Sequence, residues 1–171
     1  MLLLLFLATF ITFLLVFIFW IISHLISYIA GIPFVVSSDG RTRHILKLLN
    51  PKPGEKIVDL GSGDGKLLFE IASRGSIAYG YEINPIAYIL SLIRAKNRGL
   101  NNVHISWANF MKADLSKYDA VVIYGISTMM PRLEKKLKSE LKPGARIVSN
   151  YFKFPNLKPL KKEREILLYK I

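Results

Sequence analysis

Hydrophobic residues fill the start of the chain without a break. From Leu2 to Ile22 no charged residue appears, and the apolar character continues more weakly through Leu25, Ile26, Tyr28 and Ile29. A helix of about 20 residues crosses the hydrocarbon core of a bilayer, so the run is long enough. It predicts a transmembrane anchor within residues 1–30 and a folded domain over 31–171. No basic n-region and no small-residue cleavage site accompany it, which favours an uncleaved anchor over a signal peptide. Every Lys and Arg follows the run, beginning with Arg41, Arg43 and Lys47. The positive-inside rule then places the domain in the cytoplasm. With no Arg-rich presequence, the expected home is a prokaryotic plasma membrane rather than a mitochondrial inner membrane.

Past residue 31 the pattern changes to short apolar runs separated by turn residues. Pro, Ser, Asp and Gly in the stretch from Ile32 to Arg43 predict irregular structure. Ile45, Leu46, Leu48 and Leu49 form a short amphipathic helix ended by P-K-P-G at Pro51–Gly54. Strands are predicted near Ile57–Leu60, Ile77–Glu82, Val103–Trp107, Tyr118–Tyr124 and Ala145–Phe152. Between them, Leu67, Leu68, Ile71 and Ala72 recur at helical spacing. Ile86, Ile89, Leu90 and Ile93 do so behind an Asn84 cap and Pro85, with that stripe expected to be buried. Leu133, Leu137 and Leu141 mark a third helix. Strands alternating with helices predict an α/β fold, a doubly wound and mainly parallel sheet. The run Glu165–Ile171 follows too short a link for a helical crossover, so it is expected to pair antiparallel at the sheet edge.

The candidate chemistry concentrates where the first strand ends, in K-I-V-D-L-G-S-G-D-G-K from Lys56 to Lys66. A strand, a glycine turn and a helix, with Glu82 closing the next strand, form a nucleoside-cofactor fingerprint in which Glu82 accepts from a ribose. The dinucleotide pattern G-x-G-x-x-G is not met, because Lys66 stands where its last glycine belongs. Asp59 and Asp64 would also repel a pyrophosphate, whereas S-adenosylmethionine carries an ammonium and a sulfonium and no phosphate. In open α/β sheets ligands bind at the carboxyl ends of strands where the order reverses, which brings Asp59–Gly65 and Tyr124–Ser127 to one crevice.

Composition adds two constraints. Cysteine is absent from the 171 residues, which excludes disulfides, cysteine-rich metal sites and a thiol nucleophile, and His24, His44 and His104 show no metal spacing. The formal charge of +12 lies wholly on the domain and suits an anionic membrane surface, with nucleic acid as the less favoured partner.

The glycine stretch resembles motif I of class I S-adenosylmethionine-dependent methyltransferases. Taken together, P-F-V at Pro33, D-L-G-S-G-D-G at Asp59, Y-E-I-N-P at Tyr81, M-M-P-R-L-E-K-K-L at Met129 and F-K-F-P at Phe152 resemble the membrane-anchored protein-lysine methyltransferases. That family modifies the c-ring protein of ATP synthase and the adenine nucleotide translocase and has small archaeal relatives. The resemblance implies a Rossmann-like sheet and S-adenosyl-L-methionine as cofactor. It further implies cofactor contacts from Asp59, Gly61, Ser62, Gly63, Asp64, Gly65, Glu82, Ile83, Asn109 and Phe110, with no metal. Asn109 stands where the family usually has an acid facing adenine, and Val36-Ser37 where it tends to have Pro-Thr. Tyr124, at the end of the fourth strand, is the candidate for lining a lysine channel and orienting the amine. The implied partner is a protein with an accessible lysine, expected to be membrane-embedded. A lipid, quinone or RNA acceptor, or a scaffold without catalysis, are the competing readings.

Overall fold

A computed structural model describes residues 1–29 and 39–171. The linker expected over 32–38, with Pro33, Val36 and Ser37, and the boundary at 30–31 lie outside the described residues. Helix α1 (Leu2–Ile29) is one uninterrupted helix whose segment Leu2–Ser23 is long and apolar enough to cross a membrane. Helix α2 (Asp39–Leu49) begins earlier than the turn residues suggested, taking in Asp39 to Arg43. Ile45, Leu46 and Leu49 are buried against the sheet, and this tertiary packing carries the preceding polar turn into the helix despite Gly40.

The domain then alternates as read: β1 (Lys56–Leu60), α3 (Lys66–Ala72), β2 (Ile77–Glu82), α4 (Pro85–Asn97), β3 (Val103–Trp107), β4 (Ala120–Ile123), α5 (Met130–Glu140) and β5 (Arg146–Asn150), followed by β6 (Lys161–Glu163) and β7 (Ile166–Lys170). The seven strands lie in the order β3-β2-β1-β4-β5-β7-β6. Strands β1 to β5 pair in parallel and β7 runs antiparallel to β5, Ser149 opposite Leu167. The antiparallel strand is not the edge, however, because Lys161–Glu163 folds back on it as β6. Three polar, charged residues carry no hydrophobic signal, and such a short charged strand is how a sheet protects its rim from further pairing.

Alternation along the strands feeds two cores. Ile57, Ala78, Val122 and Val148 meet α2 and α3 on one face, while Val58, Leu60, Val121, Ile123 and Ile147 meet α5 on the other. Between β3 and β4 a single 3-10 turn at Phe110–Lys112 replaces a helix, and Tyr79, Tyr81 and Tyr118 help cover the sheet there.

One expectation fails. The stripe of α4 is not buried: Ile89 and Ile93 are 50% and 52% exposed, and Leu90 and Leu92 are exposed as well. The helix instead turns Ala87 and Ser91 to the sheet. These small residues let it lie close to β2 and β3, and the larger side chains point the opposite way. Periodicity located a face correctly and assigned it to the wrong side.

Candidate functional site

Strand β1 is the point where strand order reverses, since it pairs with β2 on one side and with β4 on the other. The loop Gly61–Gly65 leaves its carboxyl end. Gly61 and Ser62 both donate their N–H to the Tyr81 carbonyl, at 2.9 and 3.0 Å, and Gly65 N–H returns to the Ser62 carbonyl at 3.0 Å. Gly61, Gly63 and Gly65 all have positive φ. At Gly65 the left-handed backbone starts α3, and a Cβ there would lie 2.6 Å from the Phe69 ring. Across the loop, Gly80 of β2 plays a matching part: a Cβ would fall 2.6 Å from both Ser62 Oγ and Leu68. The Ser62 hydroxyl is therefore nested on Gly80, buried and without a side-chain partner among the described residues.

Glu82 is the hub. One carboxylate oxygen accepts from Gly63 N–H at 2.7 Å, and the other from the N–H groups of Ile83 and Asn84 at 2.8 and 2.7 Å. Burial pushes its carboxyl pKa up, and the three N–H groups partly offset that. With about four lone-pair sites, the carboxylate can still accept from a ligand's hydroxyls. Asp59, one position before the end of β1, is buried beside it, and burial together with the Glu82 charge holds its pKa well above the ordinary carboxylate range. Neither acid has an ion pair among the described residues. A buried pair of carboxylates without a counter-ion favours a ligand that brings positive charge.

The other predicted positions divide. Asp64 is tied by an ion pair to Arg94 of α4 and accepts weakly from Lys66 N–H. Its charge is thus largely answered within the protein, so the electrostatic bar to a pyrophosphate rests on Asp59 and Glu82. Ile83 is half-buried, and its carbonyl accepts from the Trp107 indole N–H at 2.9 Å. Asn109 caps the 3-10 turn, its side-chain oxygen accepting from Met111 N–H at 2.9 Å, and the Phe110 side chain lies in the core. Tyr124, just past β4, is half-buried, with the Phe152 ring 6.3 Å away and the Arg41 guanidinium 5.8 Å from its centroid.

The M-M-P-R-L-E-K-K-L element is mainly a clamp. Met130, Leu133 and Leu137 are core residues. Buried Glu134 pairs with Lys138 at 2.7 Å and accepts from Asn156 N–H at 2.9 Å, and Lys136 bonds the Ala113 carbonyl at 2.6 Å. These bonds fix the F-K-F-P turn and the loop before α5, which includes Gly125 packed under the sulfurs of Met129 and Met130. Sequence reasoning missed Arg41, Arg94 and Trp107, none of which sits in a patterned motif. It also missed Tyr151, whose φ of 80° follows directly on β5 and whose ring meets Phe152 edge-on at 5.1 Å. A bulky residue held in the left-handed region is a strained feature of the kind that collects at functional sites.

Comparison with known proteins places this geometry. The Xenopus laevis lysine N-methyltransferase that acts on the c-ring protein of ATP synthase is 38% identical over 129 residues, covering 75% of this chain and 57% of that protein. The protein-lysine N-methyltransferase of Saccharolobus islandicus is 29% identical over 136 residues, covering 78% of this chain and 84% of that protein. Among solved structures, an RNA methyltransferase from Salinibacter ruber in complex with S-adenosyl-L-homocysteine superposes with a TM-score of 0.74 at 25% identity, covering 79% of this chain and 91% of that one. The chain spans little more than half the length of the Xenopus relative and of the Rattus norvegicus protein of the same name. Residues 59–161, from the buried aspartate to the first residue of β6, match the ANTKMT methyltransferase domain, and the chain belongs to that family.

Proposed function

We propose that the chain is an S-adenosyl-L-methionine-dependent protein-lysine N-methyltransferase tethered to a membrane by α1, with its domain on the cytoplasmic side. The observation that carries the reading is the Asp59–Glu82 pair, two buried carboxylates at the glycine loop. It fits a cofactor that bears positive charge at the switch point and a ribose at the end of β2. When bound, that cofactor supplies an activated methyl carbon on a sulfonium.

The protein's own work is alignment and proton control. Gly63 and Gly65 leave the loop free of side chains, and Glu82 fixes the loop by bonding Gly63 N–H. Ser62 acts through its backbone, and Asp64 through Arg94. Ile83, Asn109 and Phe110 set the far wall. An acceptor lysine with pKa near 10.4 needs about 4 to 5 kcal/mol to present a bare amine at neutral pH. Arg41, close to the Tyr124 ring, adds a positive charge that disfavours the ammonium form, so no dedicated base is required. Tyr124, Phe152 and Tyr151 then form an aromatic wall that can hold an amine by cation–π and hydroxyl contacts. The relatives named for lysine N-methylation support a protein acceptor, and the apolar helix supports one in or near the bilayer.

The test uses the full chain in lipid nanodiscs with methyl-labelled cofactor and a membrane extract. Label should appear on lysine side chains of a membrane protein by mass spectrometry. Label in the organic extract would make it a lipid or quinone enzyme, and ribonuclease-sensitive label an RNA enzyme. Gly63→Arg, which places a long side chain on a positive-φ glycine beside Glu82, should abolish cofactor binding by calorimetry.

A further inference from the structure

The exposed face of α4 has a specific setting. Ser23, the last residue of the membrane-length segment, donates its hydroxyl to Asn84 Oδ1 at 2.7 Å, and Asn84 Nδ2 donates to the Ser23 carbonyl at 3.1 Å. Both residues are buried. Asn84 is also the N-cap of α4, accepting from Ile86 and Ala87 N–H, so α4 starts where the apolar segment ends. From there Ile89, Leu90, Leu92 and Ile93 project away from the sheet, opposite Ala87 and Ser91. Exposed apolar side chains set together on one helix mark an interaction surface.

Two further features point to lipid as the occupant. The chain has only two tryptophans, and both flank this junction: Trp20 lies one turn before Ser23, and Trp107 holds the Ile83 carbonyl next to Asn84 while remaining 61% exposed. Tryptophan collects where a bilayer meets water because its ring is apolar and its N–H polar. Lys96 falls at helical spacing from Ile89, Leu92 and Ile93, where its stem can lie along the apolar face and its ammonium reach headgroups. The domain's net charge of +12 suits an anionic leaflet.

We infer that α4 lies in the membrane interface, its Ile89–Ile93 face sunk among the acyl chains and headgroups of an anionic bilayer. The inference rests on reading α1 as a membrane span and deepens the proposed function. Glu82 and Trp107 end β2 and β3 at this junction, so the crevice opens beside the lipid surface. An acceptor lysine then has to reach only the headgroup level. An interfacial helix of this kind binds by buried apolar area together with attraction to anionic lipid.

The cysteine-free sequence makes a clean test. Full-length Leu14→Cys, Ile93→Cys and Lys135→Cys chains, each carrying one fluorophore, are reconstituted in vesicles of phosphatidylcholine and phosphatidylglycerol. Quenching by brominated lipid is compared with quenching by aqueous iodide. The expected result is lipid quenching at positions 14 and 93, with iodide quenching at 93 several-fold weaker than at 135 on α5. If 93 behaves like 135 while 14 stays lipid-quenched, this inference falls and the anchored-enzyme reading stands. Protection of 93 from both quenchers would mean that protein covers the face, and would also overturn it. Loss of lipid quenching at 14 removes the span and the inference together.

Discussion

The two halves of the sheet are built by opposite rules. On the β4–β5 side, α5 buries Leu133 and Leu137, and its acid Glu134 is paired with Lys138 and the Asn156 N–H. On the β1–β2 side, α4 leaves its large apolar residues in the open, while Asp59 and Glu82 are buried without a cation among the described residues. The first half satisfies every polar group it hides and hides every apolar group it can. The second departs from both habits around one crevice. Natural sequences depart from local consistency where function demands it, so the contrast separates scaffold from working surface.

The largest effect should come from testing that contrast directly. Leu133→Ala removes a fully buried side chain and should destabilise the domain by about 2–5 kcal/mol, whereas Ile93→Ala should stay within about 0.5 kcal/mol, both read by urea unfolding in detergent. Comparable losses at the two positions would erase the distinction between the helices.

Much of the scaffold was legible in the sequence, and the reason is visible in the strands. Ala120–Ile123 is buried at every position, and a short continuous apolar run reads directly as a central strand. The glycine loop and Glu82 were legible for a similar reason, because their chemistry depends on residue type at fixed spacing. What escaped was decided by tertiary partners. Ile89 and Ile93 have the same period as Leu133 and Leu137, and nothing local says which face meets the sheet. The Asp64–Arg94 pair joins residues from separate elements, β6 is too short and too polar to carry a pattern, and the left-handed Tyr151 has no glycine or asparagine to announce it. Asp39–Arg43 looked irregular residue by residue and became helical because the next turn packs.

A smaller effect, of opposite sign for stability and binding, is expected at Asp59. Its carboxyl pKa is raised in the folded state, so the folded chain holds the proton more tightly than the unfolded one. Stability without cofactor should therefore be greatest below the ordinary carboxylate range and decline as pH rises through the folded value. Asp59→Asn should remove that decline and stabilise the cofactor-free chain at neutral pH by about 1 kcal/mol, while weakening cofactor binding by about tenfold or more. Wild-type affinity should rise over the same pH window, as the ionised acid becomes available to a positively charged ligand. Calorimetric titration and urea unfolding across pH check both limbs. An Asp59→Asn chain that binds as tightly as wild type would mean that the buried charge has no bearing on the ligand.

The smallest effect concerns how the open half is held together at its helix start. Helix α5 begins at Met129 with no side-chain cap and relies on Pro131 and its buried stripe. Helix α4 has little burial to rely on, and Asn84 supplies its cap by accepting from Ile86 and Ala87 N–H at 3.0 and 3.1 Å. Asn84→Ala should cost about 1 kcal/mol, the usual worth of such a cap. Asn84→Ser can still cap the helix but lacks the amide that donates to the Ser23 carbonyl. It should recover most of the stability while leaving faster hydrogen exchange at the end of the apolar segment of α1. Were serine and alanine to fall equally short, the amide's link to Ser23 rather than the cap would be what secures α4, and the two helices would differ in their attachment more than in their burial.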